Sequence, residues 1–149
     1  MTPVCTIWYM PIQSRITTTA TADRVWSVLS ELDAWPQWLP TVNRLEREDP
    51  DAPHGVGAAY RLEQPRLPRA RWVVTEWTPG EGLTWTSSGP GVTTTATHEL
   101  GPAPSGGTEI VLGISWSGPL GGLLGLLYGR LTRRYLETEV AALADRATA

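Results

Sequence analysis

His98, within "TATHEL", and Glu76, within "RWVVTEW", are the two residues whose types suit proton transfer inside an apolar site. A histidine surrounded by apolar groups has its charged form disfavoured and exchanges a proton near neutrality, while a glutamate facing the same space becomes an acid of raised pKa. The same histidine serves equally as a hydrogen-bonded core group. Either role depends on which face of its strand the side chain occupies. Around these two the chain distributes eight tryptophans and four tyrosines, large rings with a polar tip that suit the wall of a small-molecule site.

Other chemistries fail on residue type or spacing. "GISWS" resembles a nucleophile elbow, but Ser117 stands where that motif needs glycine and no histidine follows it. "HGVGAA" lacks the third glycine of a dinucleotide loop, and with no lysine in the chain a Walker motif is excluded. One cysteine, Cys5, and two histidines cannot build a closed zinc site. No metal and no cofactor are therefore expected, and His54 sits in a Pro/Asp-rich loop without an expected partner. Arg130, Arg133 and Arg134 form a basic cluster, read either as a solvated helix face or as a carboxylate site at a pocket entrance.

A formal charge of −3 over 149 residues, pI about 5.3, gives no broad positive field for nucleic acid. No run approaches the roughly 18 apolar residues of a membrane span. The single cysteine fits a reducing, cytoplasmic setting. The length suits one domain, expected over residues 13–149 after a loose extension over 1–12, and either a monomer or a homodimer.

The elements that must position these residues follow from periodicity. Alternation from Ile16 gives a first strand. Thr21 then caps a short amphipathic helix carrying Val25, Trp26, Val28, Leu29 and Leu32, stopped by Pro36. From Val42 to Gly118 six strands alternate with short Pro/Gly/Asp loops. After Gly118 one long helix, about Leu120 to Asp145, presents a wide apolar stripe. One antiparallel sheet and one long helix bury each other's apolar faces, so the sheet should curl around that helix.

Charge fixes the strand phases, because an unpaired charge is costly to bury. Tyr60, Leu62 and Gln64 turn inward from Arg61 and Glu63; Ala96, His98 and Leu100 from Glu99. The apolar phase of the last strand puts Ile110, Leu112, Ile114 and Trp116 inside, and "GLTWTSS" gives Leu83, Trp85 and Ser87. "RWVVTEW" admits two phases: Trp72, Val74 and Glu76 inside, or Val73, Thr75 and Trp77. The first keeps Arg71 at the surface and the second keeps Glu76 there, and charge alone leaves both open. Glycines at 118, 121, 122, 125 and 129 suggest space beside the last helix, next to Leu124, Leu127, Tyr128 and Leu131.

This order of elements, with "ADRVWSVLSELDAWPQWLPTV", "HGVGAAYRL", "RWVVTEWTPGEGLTW", "HELGPAPSGGTEI" and "GPLGGLLGLLYGRLTRRYLETEV", resembles the polyketide cyclase/dehydrase branch of the START-like, Bet v 1-like (SRPBCC) superfamily. The resemblance implies an α+β helix-grip fold: a seven-stranded antiparallel sheet curled around the C-terminal helix, two short helices after the first strand, and an elongated cavity. It implies a wall at the cavity mouth from Trp35 or Trp38. Ligand contacts are expected from Tyr60, Gln64, Trp77, Trp85, His98, Trp116, Leu127, Tyr128, Leu131 and Tyr135. Aromatase/cyclases of this family use a pocket arginine on a central strand, where this chain offers Trp77, and the resemblance favours the second phase of "RWVVTEW", with Val73, Thr75 and Trp77 inside and Glu76 at the surface. The expected function is binding of a small apolar polyketide-like or terpenoid-like molecule and assistance of its cyclisation or dehydration. Alternatives are a non-catalytic carrier or sensor, or a co-chaperone-like module using the outer sheet face around Trp72 or Val74.

Overall fold

The computed structural model describes residues 11–149; Cys5 and all but the last two residues of the expected extension lie outside them. Strand β1 (Ile12–Thr18) leads into α1 (Ala22–Leu29), a 3-10 turn (Leu32–Ala34) and α2 (Trp35–Trp38). Strands β2 (Arg44–Arg47), β3 (Ala59–Glu63), β4 (Ala70–Thr78), β5 (Gly82–Gly89), β6 (Val92–Pro102) and β7 (Thr108–Ser117) follow, and α3 (Gly121–Thr148) ends the chain.

The seven strands form one antiparallel sheet in the order β1-β7-β6-β5-β4-β3-β2. Strands β2 to β7 are a meander, and β1 returns to pair with β7, Ile12 opposite Ile114. The amphipathic stripe of α3 supplies Leu136, Val140 and Leu143 to a core shared with Leu83, Trp85, Ile110 and Leu112. This is the helix-grip arrangement of an α+β chain.

The short helices have local causes. Thr21 Oγ1 accepts from the Arg24 backbone N–H at 3.1 Å and starts α1. Pro36 does not stop that helix, which already ends at Ser30; it stands in the first turn of α2, where a missing N–H costs nothing.

Strand β4 resolves the ambiguity of "RWVVTEW" in a way neither phase allowed. Trp72 and Val74 are buried, Thr75 and Glu76 are exposed, and Trp77 is half-buried. The register shifts between Val74, opposite Trp85, and Glu76, opposite Thr84. A bulge at Thr75 therefore inserts one residue and reverses the alternation. The preferred inward positions of Val73 and Thr75 are thus corrected, while Trp77 does turn toward the helices.

Candidate functional site

A cavity of about 200 Å³ lies between the curled sheet and α3. Its sheet wall is built by inward positions of consecutive strands: Leu62, Trp72, Trp85, Ala96, Ile114 and Trp116. Helix α3 closes the other side with Leu124, Tyr128, Thr132, Tyr135 and Leu136, spaced mostly three or four residues apart on one face. The rim carries Gln64, Leu67, Pro68 and Arg69 of the β3–β4 loop. The Tyr135 hydroxyl donates to the Pro65 carbonyl, tying that loop to α3. An empty apolar cavity of about 150 Å³ accepts benzene, so this space suits a ring system of roughly two fused rings.

At one end the rings close into a cage. Trp35 lies 5.3 Å from Trp85 and 5.7 Å from His98, and Trp85 lies 5.3 Å from Trp72, centroid to centroid. Trp35 is fixed by its indole N–H, which donates to the Leu29 carbonyl at 2.9 Å. "DAWPQWLP" thus seals the inner end of the cavity rather than its mouth. Trp38 stands behind Trp35 at 6.4 Å and reaches only a second void of about 10 Å³, room for one water.

Two titratable groups face this end, His98 and Glu139, and both also line the small void. His98 is buried, and its Nδ1 lies 3.2 Å from the Leu83 carbonyl on the neighbouring strand. A carbonyl only accepts, so Nδ1 carries the proton and Nε2 is left as an acceptor. Burial pushes the pKa of His98 down to about 4, against which the Leu83 bond acts. His98 is therefore neutral at pH 7.

Glu139 was not among the residues the sequence singled out. The residue is half-buried as a whole, with its carboxyl turned onto Thr41 and Gln64. Burial pushes its pKa up to about 7, opposed by the Thr41 hydroxyl, which donates to Oε1 at 2.7 Å, and by the Gln64 amide at 3.4 Å. It sits three residues beyond Leu136 and four before Leu143, beside the buried stripe of α3. A charge at a stripe position was the available signal.

The expected ligand residues divide accordingly. Trp35, Gln64, Trp85, His98, Trp116, Tyr128 and Tyr135 line the cavity. Tyr60, Trp77, Leu127 and Leu131 do not. Tyr60 is fully buried, with its hydroxyl on His54 Nδ1. Trp77 packs edge-on against Trp26 at 5.1 Å, beneath α1. Leu127 points into solvent, 64% exposed. Leu131 is half-buried outside the lining. Glu76 is at the surface, where its carboxylate accepts from Thr84 Oγ1 at 3.4 Å, so it is no cavity acid. Thr132 and Glu139 are among the lining residues that sequence reasoning missed, and Trp72 lines the cavity as the phase not preferred had it.

Two further expectations change. The space beside Gly125 is filled: a Cβ there would lie 3.6 Å from the Trp116 ring, and one at Gly129 would lie 3.7 Å from Ile12 Cδ1. His54 does have partners, stacking between Tyr60 and Trp77 with Nε2 3.6 Å from Asp33 Oδ2. Arg69, the arginine among the lining residues, holds Glu63 at 2.5 Å in solvent, so no guanidinium enters from a central strand.

Among the described residues no group of side chains is arranged to hold a metal ion, and no helix is long and apolar enough to cross a membrane.

The family model described as "Polyketide cyclase / dehydrase and lipid transport" matches residues 11–148. Among solved structures, TTHA0849 from Thermus thermophilus is 22% identical with a TM-score of 0.71, covering 93% of this chain and 97% of its own. The Zhui aromatase/cyclase from Streptomyces sp. R1128 is 16% identical with a TM-score of 0.73, covering 95% and 94%. The Ara h 8.0201 structure is 12% identical with a TM-score of 0.66, covering 95% and 98%. At these identities the likeness is one of fold. A search of the curated proteins finds no match.

Proposed function

This chain belongs to the polyketide cyclase / dehydrase and lipid transport family, and we propose that it binds a small apolar, polyketide-like or terpenoid-like molecule in the α3 cavity and assists its cyclisation or dehydration. The observation that carries the reading is one apolar, tryptophan-walled cavity whose inner end holds a neutral histidine and a carboxyl group titrating near pH 7.

The chemistry follows from those two groups. A catalytic base is most effective when its pKa lies near the working pH, which fits Glu139 and not His98. As carboxylate, Glu139 takes a proton from a carbon between two carbonyls. The released electron pair forms the new carbon–carbon bond to a further carbonyl of the folded ligand, and the alkoxide so formed receives the proton back. Loss of water from that alcohol completes dehydration. His98 Nε2 accepts a hydrogen bond from a ligand hydroxyl and orients the chain, while the tryptophan walls hold it folded.

A non-catalytic carrier is the second reading, favoured by the low pKa of His98, which leaves one proton-transfer group instead of two. The co-chaperone reading loses its support, since Trp72 and Val74 face the core and not the outer sheet. The test pairs affinity with turnover. Glu139→Gln should keep ligand affinity within a few fold and lower turnover of a poly-β-ketone substrate by roughly 10²–10⁴. Equal turnover in the variant would remove Glu139 as the base, and absence of turnover in the wild type would leave binding alone.

A further inference from the structure

The first half of α3 carries a surface that the cavity does not use. Leu126 is 82% exposed, Leu127 64%, Leu123 49% and Leu120 44%. Packing among the described residues does not explain four leucines on the outside of one helical segment. The next turns of the same exposed face carry Arg130, Arg133 and Arg134, none of which has a salt-bridge partner among the described residues.

The surroundings are nearly uncharged. From Gly82 to Thr97, and again from Ile110 to Gly129, the sequence has no Asp, Glu, Lys or Arg. These two stretches meet in space: the Leu120 backbone N–H donates to the Gly91 carbonyl at 2.8 Å, and the Leu120 side chain packs over the β5–β6 turn. One end of a chain of net charge −3 thus presents leucines without charge, followed by three free arginines about 10 Å further along the helix, at 1.5 Å per residue. Leu124 and Tyr128, on the inner face of the same turns, line the cavity.

We propose that this end of α3 docks on an anionic lipid surface, with Leu120, Leu123, Leu126 and Leu127 entering the acyl boundary and Arg130, Arg133 and Arg134 lying at the phosphates. The order of leucines then arginines along one exposed helical face matches the depth of an interface, apolar first and anionic above it. Charge complementarity selects the partner. Three unpaired arginines with no acidic residue between them and Glu137 fit a surface of phosphates, and the acyl boundary accommodates leucines with no specific pocket. Docking there would place the α3 side of the cavity beside the phase in which an apolar ligand dissolves. The surface stands apart from the proposed chemistry, and either can fail alone.

The experiment is co-sedimentation of the full chain with phosphatidylcholine vesicles and with vesicles containing roughly one third phosphatidylglycerol. Binding should be strong to the anionic vesicles, weak to the neutral ones, and reduced by salt. Leu126→Ser with Leu127→Ser should weaken binding at least about tenfold, and each of Arg130→Gln and Arg134→Gln by about fivefold. All four side chains are exposed, so the variants keep the fold and their cavity binding. No sedimentation with anionic vesicles, or sedimentation indifferent to the leucine pair, overturns the proposal. So does light scattering that shows a dimer which the leucine pair dissociates, because a second copy would then cover this face.

Discussion

The hydroxyl of Thr41, in the loop leading to β2, donates to Glu139 Oε1 on α3 at 2.7 Å, across 98 residues of sequence. This bond opposes the burial that raises the carboxyl's pKa to about 7. Thr41→Val keeps the shape and removes the donor. The Glu139 pKa should then rise further, which a carboxyl-carbon NMR titration would read, and the acid limb of any pH–rate profile should move up with it. An unmoved titration would show that Thr41 does not hold the carboxylate.

His98 and Glu139 should give opposite slopes of stability against pH. For His98 the folded pKa, about 4, lies below the ordinary 6.5, so its contribution is present above pH 6.5 and is lost as pH falls toward 4. For Glu139 the folded value, about 7, lies above the ordinary 4.5, so its contribution is present below pH 4.5 and is lost as pH rises through 7. Urea unfolding at several pH values should show the wild-type advantage over His98→Gln shrinking on acidification. The comparison with Glu139→Gln should shrink in the other direction. Neither slope can exceed about 1.4 kcal/mol per pH unit. Parallel slopes would contradict both assignments.

Trp35 and Trp72 have similar burial but different hydrogen bonding. The Trp35 indole N–H donates to the Leu29 carbonyl, whereas the Trp72 N–H is buried with no partner among the described residues. Trp35→Phe leaves the carbonyl unpaired, while Trp72→Phe removes an unsatisfied donor. The first should cost more stability than the second by about 1–3 kcal/mol, measured by thermal or urea unfolding. Equal losses would mean that the Trp72 donor is satisfied in solution.

Gly125 lies in mid-helix with ordinary contact distance to the Trp116 ring. Gly125→Ala should therefore stabilise the protein by about 0.5–1 kcal/mol. Gly125→Leu should push Trp116 out of place and shift its fluorescence. Destabilisation by alanine would show that the ring needs the bare backbone.

Much of this was legible in residue order, for reasons visible at particular positions. Arg61, Glu63 and Glu99 cannot be buried unpaired, and they set the phase of β3 and β6 correctly. Strand β4 was not legible, because a bulge at Thr75 satisfies both Arg71 and Glu76 at the surface while keeping Trp72 and Trp77 inside. Facing inward also proved weaker than lining a cavity. Tyr60 and Trp77 face inward but fill the core under α1 and the β2–β3 loop, since a sheet this wide covers more than one space. Glu139 was hidden by reading α3 through its leucines alone. The glycines of α3 misled because the room they leave is taken by Trp116 and Ile12.

Everything proposed for the cavity depends on the space walled by Trp35, Trp72, Trp85 and Trp116 receiving a small apolar ligand. The decisive measurement is titration of two- and three-ring hydroxylated aromatics against tryptophan fluorescence, with Ala96→Leu as the control that fills the cavity from the sheet side. Saturable quenching with a matching rise in Tm is expected for the wild type, and neither effect for the variant. Absence of saturable quenching across the panel, or undiminished quenching in Ala96→Leu, would contradict ligand binding in this space.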